Sequence, residues 1–185
     1  MEKLKLKKRK KKMKNKILKK INEIFENKSK TDVSQEEYQK FEKETHVKLP
    51  EELRYIIENY DRVFIKDDIG IQGIEVSPFA YQGYEVVNVF LGFVGDENLY
   101  TVYEMLKDRI PSKRIPIAEM DGGNYILLSS DNKVYLWLHD EDSDKDCYLI
   151  ANDFEEFIMK FEKLPIDEEN RECHIIAEYS DDFWD

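Results

Sequence analysis

Five carboxylates crowd into seven residues at Asp140, Glu141, Asp142, Asp144 and Asp146, and this run is where the sequence comes closest to a metal site. Asp140, Asp142 and Asp144 match the first three ligand positions of an EF-hand loop, whose alternating oxygens surround Ca²⁺. The match then fails: position 6 is Lys145 instead of Gly, and position 12 is Ala151 instead of the bidentate Glu. A solvated loop or a contact with a partner accounts for these residues better than calcium does. The three histidines, His46, His139 and His174, lack H-x-x-x-H spacing and do not pair with Cys147 or Cys173 at zinc-ligand spacing. His139 precedes Asp140 and could serve as a general base. A histidine at a strand end, bonded to backbone, is the stronger reading. There is no G-x-S-x-G, phosphate loop or paired-carboxylate signature, and Gly122-Gly123 does not lead into a helix start that could hold an anion. The expectation is a binding protein, not an enzyme, with no metal and no cofactor.

Charge is divided unevenly along the chain. Residues 1–20 hold eleven Lys and one Arg against one Glu, a net +11, so with −11 overall, residues 21–185 carry −22. A body this acidic repels nucleic acid and anionic lipid and attracts basic protein surfaces. The lysine block itself could contact nucleic acid or an anionic membrane. No aromatic residue interrupts it to stack on bases, so any nucleic-acid binding there would be non-specific. Its only apolar pair before the next lysines is Ile17-Leu18, too short for a signal peptide. No apolar run approaches the roughly 20 residues that cross a bilayer. Two cysteines make no disulfide framework. Together these point to a cytoplasmic protein without a transmembrane segment.

The elements that position these groups follow from periodicity. Ile17, Leu18, Ile21, Ile24 and Phe25 form one apolar stripe on an amphipathic basic helix, which could dock on a partner or a membrane surface but whose best docking site is the rest of the chain. Ser34-Gln35-Glu36-Glu37 is a capping box opening a second helix, with Tyr38 and Phe41 facing inward. A third starts at Pro50, followed by Glu51 and Glu52, with Leu53, Ile56, Ile57 and Tyr60 on its buried stripe. From Val63 to Phe93, β-branched and aromatic runs broken by Gly and Pro predict short strands and loops. Asn98 caps a short helix through Leu106. Ile115–Ala118, Tyr125–Ser129 and Val134–His139 read as an antiparallel meander, turning at Asp121-Gly122-Gly123-Asn124 and Asp131-Asn132. A brief strand at Tyr148–Ile150 precedes a helix capped by Asn152, with Glu155 at the box position and Phe154, Phe157, Ile158, Phe161 and Leu164 on its apolar face. The segments divide as a lysine-rich extension over 1–30, an α/β domain over 31–165 and an acidic tail over 166–185.

In order, Val47-Lys48-Leu49-Pro50, Ile115-Pro116-Ile117-Ala118, Asp121-Gly122-Gly123-Asn124, Trp137-Leu138-His139-Asp140 and Ile150-Ala151-Asn152-Asp153-Phe154-Glu155-Glu156-Phe157-Ile158 resemble the SUKH superfamily, in particular its Smi/Knr-like branch. The likeness covers about residues 34–164. The chain departs from it at Asn59-Tyr60-Asp61-Arg62, where the family often has an Asn-Gly turn, and its glycine turn is one Gly shorter than the fullest form. The resemblance implies an α+β fold, a central, mostly antiparallel sheet flanked by helices, to which this chain adds the basic N-terminal helix. It also implies protein binding: bacterial members look like immunity proteins that neutralise a cognate toxin, often a nuclease, while fungal relatives are regulatory scaffolds in cell-wall signalling. Leu49, Pro50, Asp121, Gly122, Gly123, Asn124, Trp137, His139, Phe154 and Phe157 then become scaffold residues. The expected partner is a basic toxin domain, contacted through Asp140, Glu141, Asp142, Asp144 and Asp146 with Tyr81, Tyr84 and Trp184 as aromatic anchors. The alternative is a scaffold protein tethered to nucleic acid or membrane through residues 1–20.

Overall fold

The computed structural model describes residues 15–26, 28–140 and 146–165. Helix α1 covers residues 15–24 of the described chain. Its Ile17, Ile21 and Ile24, with Phe25 just beyond, are all buried in the same core as the rest of the protein. Apolar side chains four and three apart fall on one helical face, and that face is the one covered.

Helices α2 (Gln35–Thr45) and α3 (Glu51–Tyr60) follow. The Ser34 hydroxyl accepts the Glu37 N–H at 3.2 Å while the Glu37 carboxylate accepts the Ser34 N–H at 2.8 Å, a closed capping box. Pro50 stands one position outside α3 as its N-cap. At the far end of α3, Asp61 takes φ 55°. Its carboxylate accepts the N–H of Phe93 at 2.8 Å, which compensates a backbone conformation unfavourable for a side-chain-bearing residue. A side chain at Gly92 would collide with this carboxylate.

A six-stranded antiparallel sheet runs β1-β3-β4-β5-β6-β7, from β1 (Val63–Phe64) and β3 (Val89–Phe90) through β4 (Arg114–Glu119), β5 (Tyr125–Ser129) and β6 (Val134–Trp137) to β7 (Cys147–Ala151). The fold is therefore α+β, and the meander stands where turn chemistry placed it. A separate pair joins β2 (Ile69–Ile71) to β8 (Phe161–Lys163). Helix α4 (Leu99–Leu106), capped by Asn98, lies against β4, and α5 (Phe154–Lys160) lies against β7 and α3. Phe90 is an aromatic junction, with ring centroids 5.1 Å from Phe25, 6.0 Å from Phe157 and 6.5 Å from Phe161.

The last helix differs from its sequence reading in two ways. Its cap is Asp153, whose carboxylate accepts the Glu156 N–H at 2.7 Å. Asn152 instead donates its backbone and side-chain N–H groups to the Glu156 carboxylate at 3.1 and 3.0 Å, so the return bond falls on the residue before the cap. The helix also stops at Lys160. Phe161 turns extended (φ −59°, ψ 128°) to pair with Ile71, so Phe161 and Leu164 lie beyond the helix although Phe161 remains buried. An i, i+3, i+4 pattern cannot distinguish a helix end from a strand start when the side chain is buried in both cases.

Candidate functional site

The β4–β5 turn builds the floor of the main cleft. Gly122 and Gly123 take φ 72° and 77°, which only glycine adopts without cost, and a side chain on Gly123 would press on the His139 ring. The Asn124 side chain locks the turn to β6. Its Nδ2 donates to the Asp121 carbonyl at 3.0 Å and its Oδ1 accepts the His139 backbone N–H at 3.1 Å, two bonds that also fix the orientation of the amide. The His139 ring stands with Nδ1 3.4 Å from Asn124 Oδ1 and Nε2 2.8 Å from Asp140 Oδ1. Among the described residues the ring is thus bonded to side chains, where its strand-end position suggested backbone.

These residues, with Leu138 and the ring of Phe79, line a cleft of about 360 Å³. Among the described residues its lining holds a His–Asp pair but no Ser, Thr, Cys or Lys that the pair could activate. The arrangement can accept and donate hydrogen bonds and cover an apolar group. On the other side of the turn a smaller cleft of about 170 Å³ contains Asp96, Glu97, Met105, Glu119 and Tyr125. Burial raises the Glu119 pKa, an effect opposed by Arg62, which donates to it at 3.1 Å. Among the described residues no group of three or more His, Cys, Asp or Glu could hold a metal ion.

Phe79 reaches the cleft from a loop over residues 72–86 that is held on all sides. Gln82 and Gly83 both have positive φ, and Tyr81 and Tyr84 exchange two backbone hydrogen bonds of 2.9 Å, the geometry of a tight hairpin turn. The buried Glu85 carboxylate accepts the Ser77 N–H at 3.2 Å. The Glu75 carboxylate accepts the Leu149 N–H at 2.7 Å, and the backbone of Ile74 and Glu75 pairs with Ile150 and Leu149 along the outer edge of β7. This anchored loop displays Ile74, Val76, Phe79, Tyr81 and Val86 to solvent, with Phe79 71% exposed.

The residues singled out from sequence occupy different situations. Asp140 is at the cleft rim, its side chain 84% exposed. Asp146 is tied down: its carboxylate accepts Trp137 Nε1–H at 3.0 Å and its carbonyl accepts Leu138 N–H at 2.9 Å. Tyr81 is exposed on the loop, whereas Tyr84 is half-buried and donates its hydroxyl to Glu162 at 2.9 Å, a bond that raises its pKa. Tyr84 is therefore a brace for the loop more than an open anchor. Glu141, Asp142, Asp144 and Trp184 lie outside the described residues, as does His174. Leu49, Trp137, Phe154 and Phe157 are buried. Phe79 and its apolar neighbours were missed, although Val76-Ser77-Pro78-Phe79 carries a signal: apolar residues beside a proline with no period by which a helix or strand could bury them.

Among the described residues no helix is long and apolar enough to cross a membrane. No solved structure matches the chain. It is similar to the SPbeta prophage-derived uncharacterized protein YokK of Bacillus subtilis (strain 168), 34% identical over 123 residues that make up 64% of this chain and 64% of that protein. A family model, SMI1 / KNR4 family (SUKH-1), matches residues 32–160, and the chain belongs to that family.

Proposed function

We propose that this protein is an immunity-type protein that binds a cognate toxin and neutralises it by occlusion, without catalysis. The observation that carries the reading is the anchored 72–86 loop, which holds five apolar side chains in water beside a cleft built from the family's own turn and strand-end residues. Fixed apolar groups next to a polar cleft are the composition of a protein-binding surface. The −22 charge of residues 21–185 favours a basic toxin domain, a nuclease among the candidates, through faster encounter. Asp140 supplies a charged group at the cleft rim and Tyr81 an exposed aromatic anchor. A cytoplasmic location follows from this role, because the protein protects the cell that makes it.

Co-expression with the toxin domain encoded beside its gene tests the reading. Rescue of growth and a stable complex on a sizing column are expected. Neither rescue nor complex with any neighbouring toxin would sink it.

A further inference from the structure

The structure repeatedly seats an arginine between an aromatic ring and a carboxylate. The Arg54 guanidinium lies 4.7 Å from the Tyr38 ring centroid and 2.6 Å from Glu42. Arg62 lies 5.8 Å from the Phe64 centroid and bonds Glu97 and Glu119 at 3.0 and 3.1 Å. The cleft under Phe79 has the same two components, an exposed ring and the carboxylates of Asp121 and Asp140, and among the described residues no arginine or lysine pairs with either carboxylate. Arg109, which reaches the His139 carbonyl at 3.4 Å, lies 5.4 Å from the Trp137 centroid and pairs with neither carboxylate.

We infer that the Phe79 cleft is a receptor for an arginine side chain presented by the partner protein. The inference rests on the protein-binding reading and specifies its chemistry. A planar, weakly hydrated guanidinium can lie on the Phe79 face while its fork donates to Asp140 and Asp121, a combination a compact ammonium cannot reproduce. Asp121 Oδ1 already accepts the Asn88 side-chain amide and Asp140 Oδ1 faces His139, so each carboxylate is oriented by one oxygen and, among the described residues, has its second oxygen available to the ligand. The volume of about 360 Å³ is at the small end for ligand pockets, the size expected for one inserted side chain. The walls of Leu138 and Gly122 cover its methylene stem.

The test is titration of the isotopically labelled full chain with the blocked tripeptide Gly-Arg-Gly, and with its Lys and Glu counterparts, at fixed ionic strength. The arginine peptide should shift the amide signals of Gly122, Gly123, Asn124 and His139 saturably in the millimolar range. Phe79→Ala, Asp140→Asn and Asp121→Asn should each weaken it about three- to tenfold. Equal response to the lysine peptide, no localised shift, or binding unchanged in Phe79→Ala would overturn the inference. Phe79 is 71% exposed, and Asp121→Asn keeps an oxygen for the Asn88 amide, so these variants retain the fold. A toxin complex that forms unweakened by Phe79→Ala would remove the arginine receptor and leave the immunity role standing. Arginine binding without any neutralised toxin would do the reverse.

Discussion

Asn124 holds His139 through a single oxygen, which accepts the histidine's backbone N–H at 3.1 Å and lies 3.4 Å from its Nδ1. The amide's other end reaches back to Asp121, so the β4–β5 turn and the end of β6 move as one body. Asn124→Ala should release both, lowering stability by about 1–2 kcal/mol in urea unfolding and broadening the His139 ring signals in NMR spectra.

Gly123→Ala faces two penalties at once, a left-handed backbone at φ 77° and contact with the His139 ring. A loss of about 1–3 kcal/mol is expected, larger than at Gly83, where φ is 83° but a side chain meets nothing within 4 Å. Parallel denaturant curves for the two alanine variants check the order.

Trp137 is buried at 3% exposure and donates its indole N–H to Asp146. Asp146→Ala leaves that donor without its acceptor, at a cost of about 1–3 kcal/mol, whereas Asp146→Asn keeps an acceptor and should recover most of it. Tryptophan fluorescence during unfolding separates the two, and a pure partner-contact role for Asp146 would leave both curves on the wild type.

Burial pushes the Cys147 thiol up to about 12, with Asp146 reinforcing and Arg114 opposing. Folding therefore favours the neutral thiol. Its contribution to stability is fully present below the unfolded value of about 8.5 and is lost as pH rises from there toward the folded value. In a Cys173→Ser background, iodoacetamide at pH 8 should modify the native protein at least about tenfold more slowly than the urea-unfolded chain.

Eight of the eleven lysines in residues 1–20 precede residue 15, whereas Ile17, Ile21, Ile24 and Phe25 belong to the core. Deleting residues 1–14 should therefore abolish any salt-sensitive binding to polyanions while toxin protection survives; loss of protection would favour the tethered scaffold. Deleting residues 1–25 removes four buried side chains worth about 2–5 kcal/mol each, and the cooperative unfolding transition should disappear.

What could be read beforehand was local. Ser34 with Glu37, Asn98 as the cap of a short helix, and the Tyr125–Ser129 strand depend on neighbours in sequence, and the structure realises all three. Long-range requirements were hidden. Nothing near Phe161 announces that Ile71 will draw it into a strand. Nothing near Asp146 shows that the Trp137 indole claims its carboxylate, so a seemingly free acidic residue became a structural one. The cleft was half visible, since turn chemistry marked Gly122, Gly123 and Asn124 while Phe79 arrives from more than forty residues earlier in the chain.

The pairing of Ile74 and Glu75 with the outside of β7, and of residues 24–25 with the segment following β1 at the opposite end, leaves recognition to side chains instead of backbone. A surface read through side chains can be rewritten one residue at a time without disturbing strand register. Under the proposed immunity role, an arms race with a changing toxin could then be fought by substitutions at Phe79, Tyr81 and Asp140, on a frame that need not change with them.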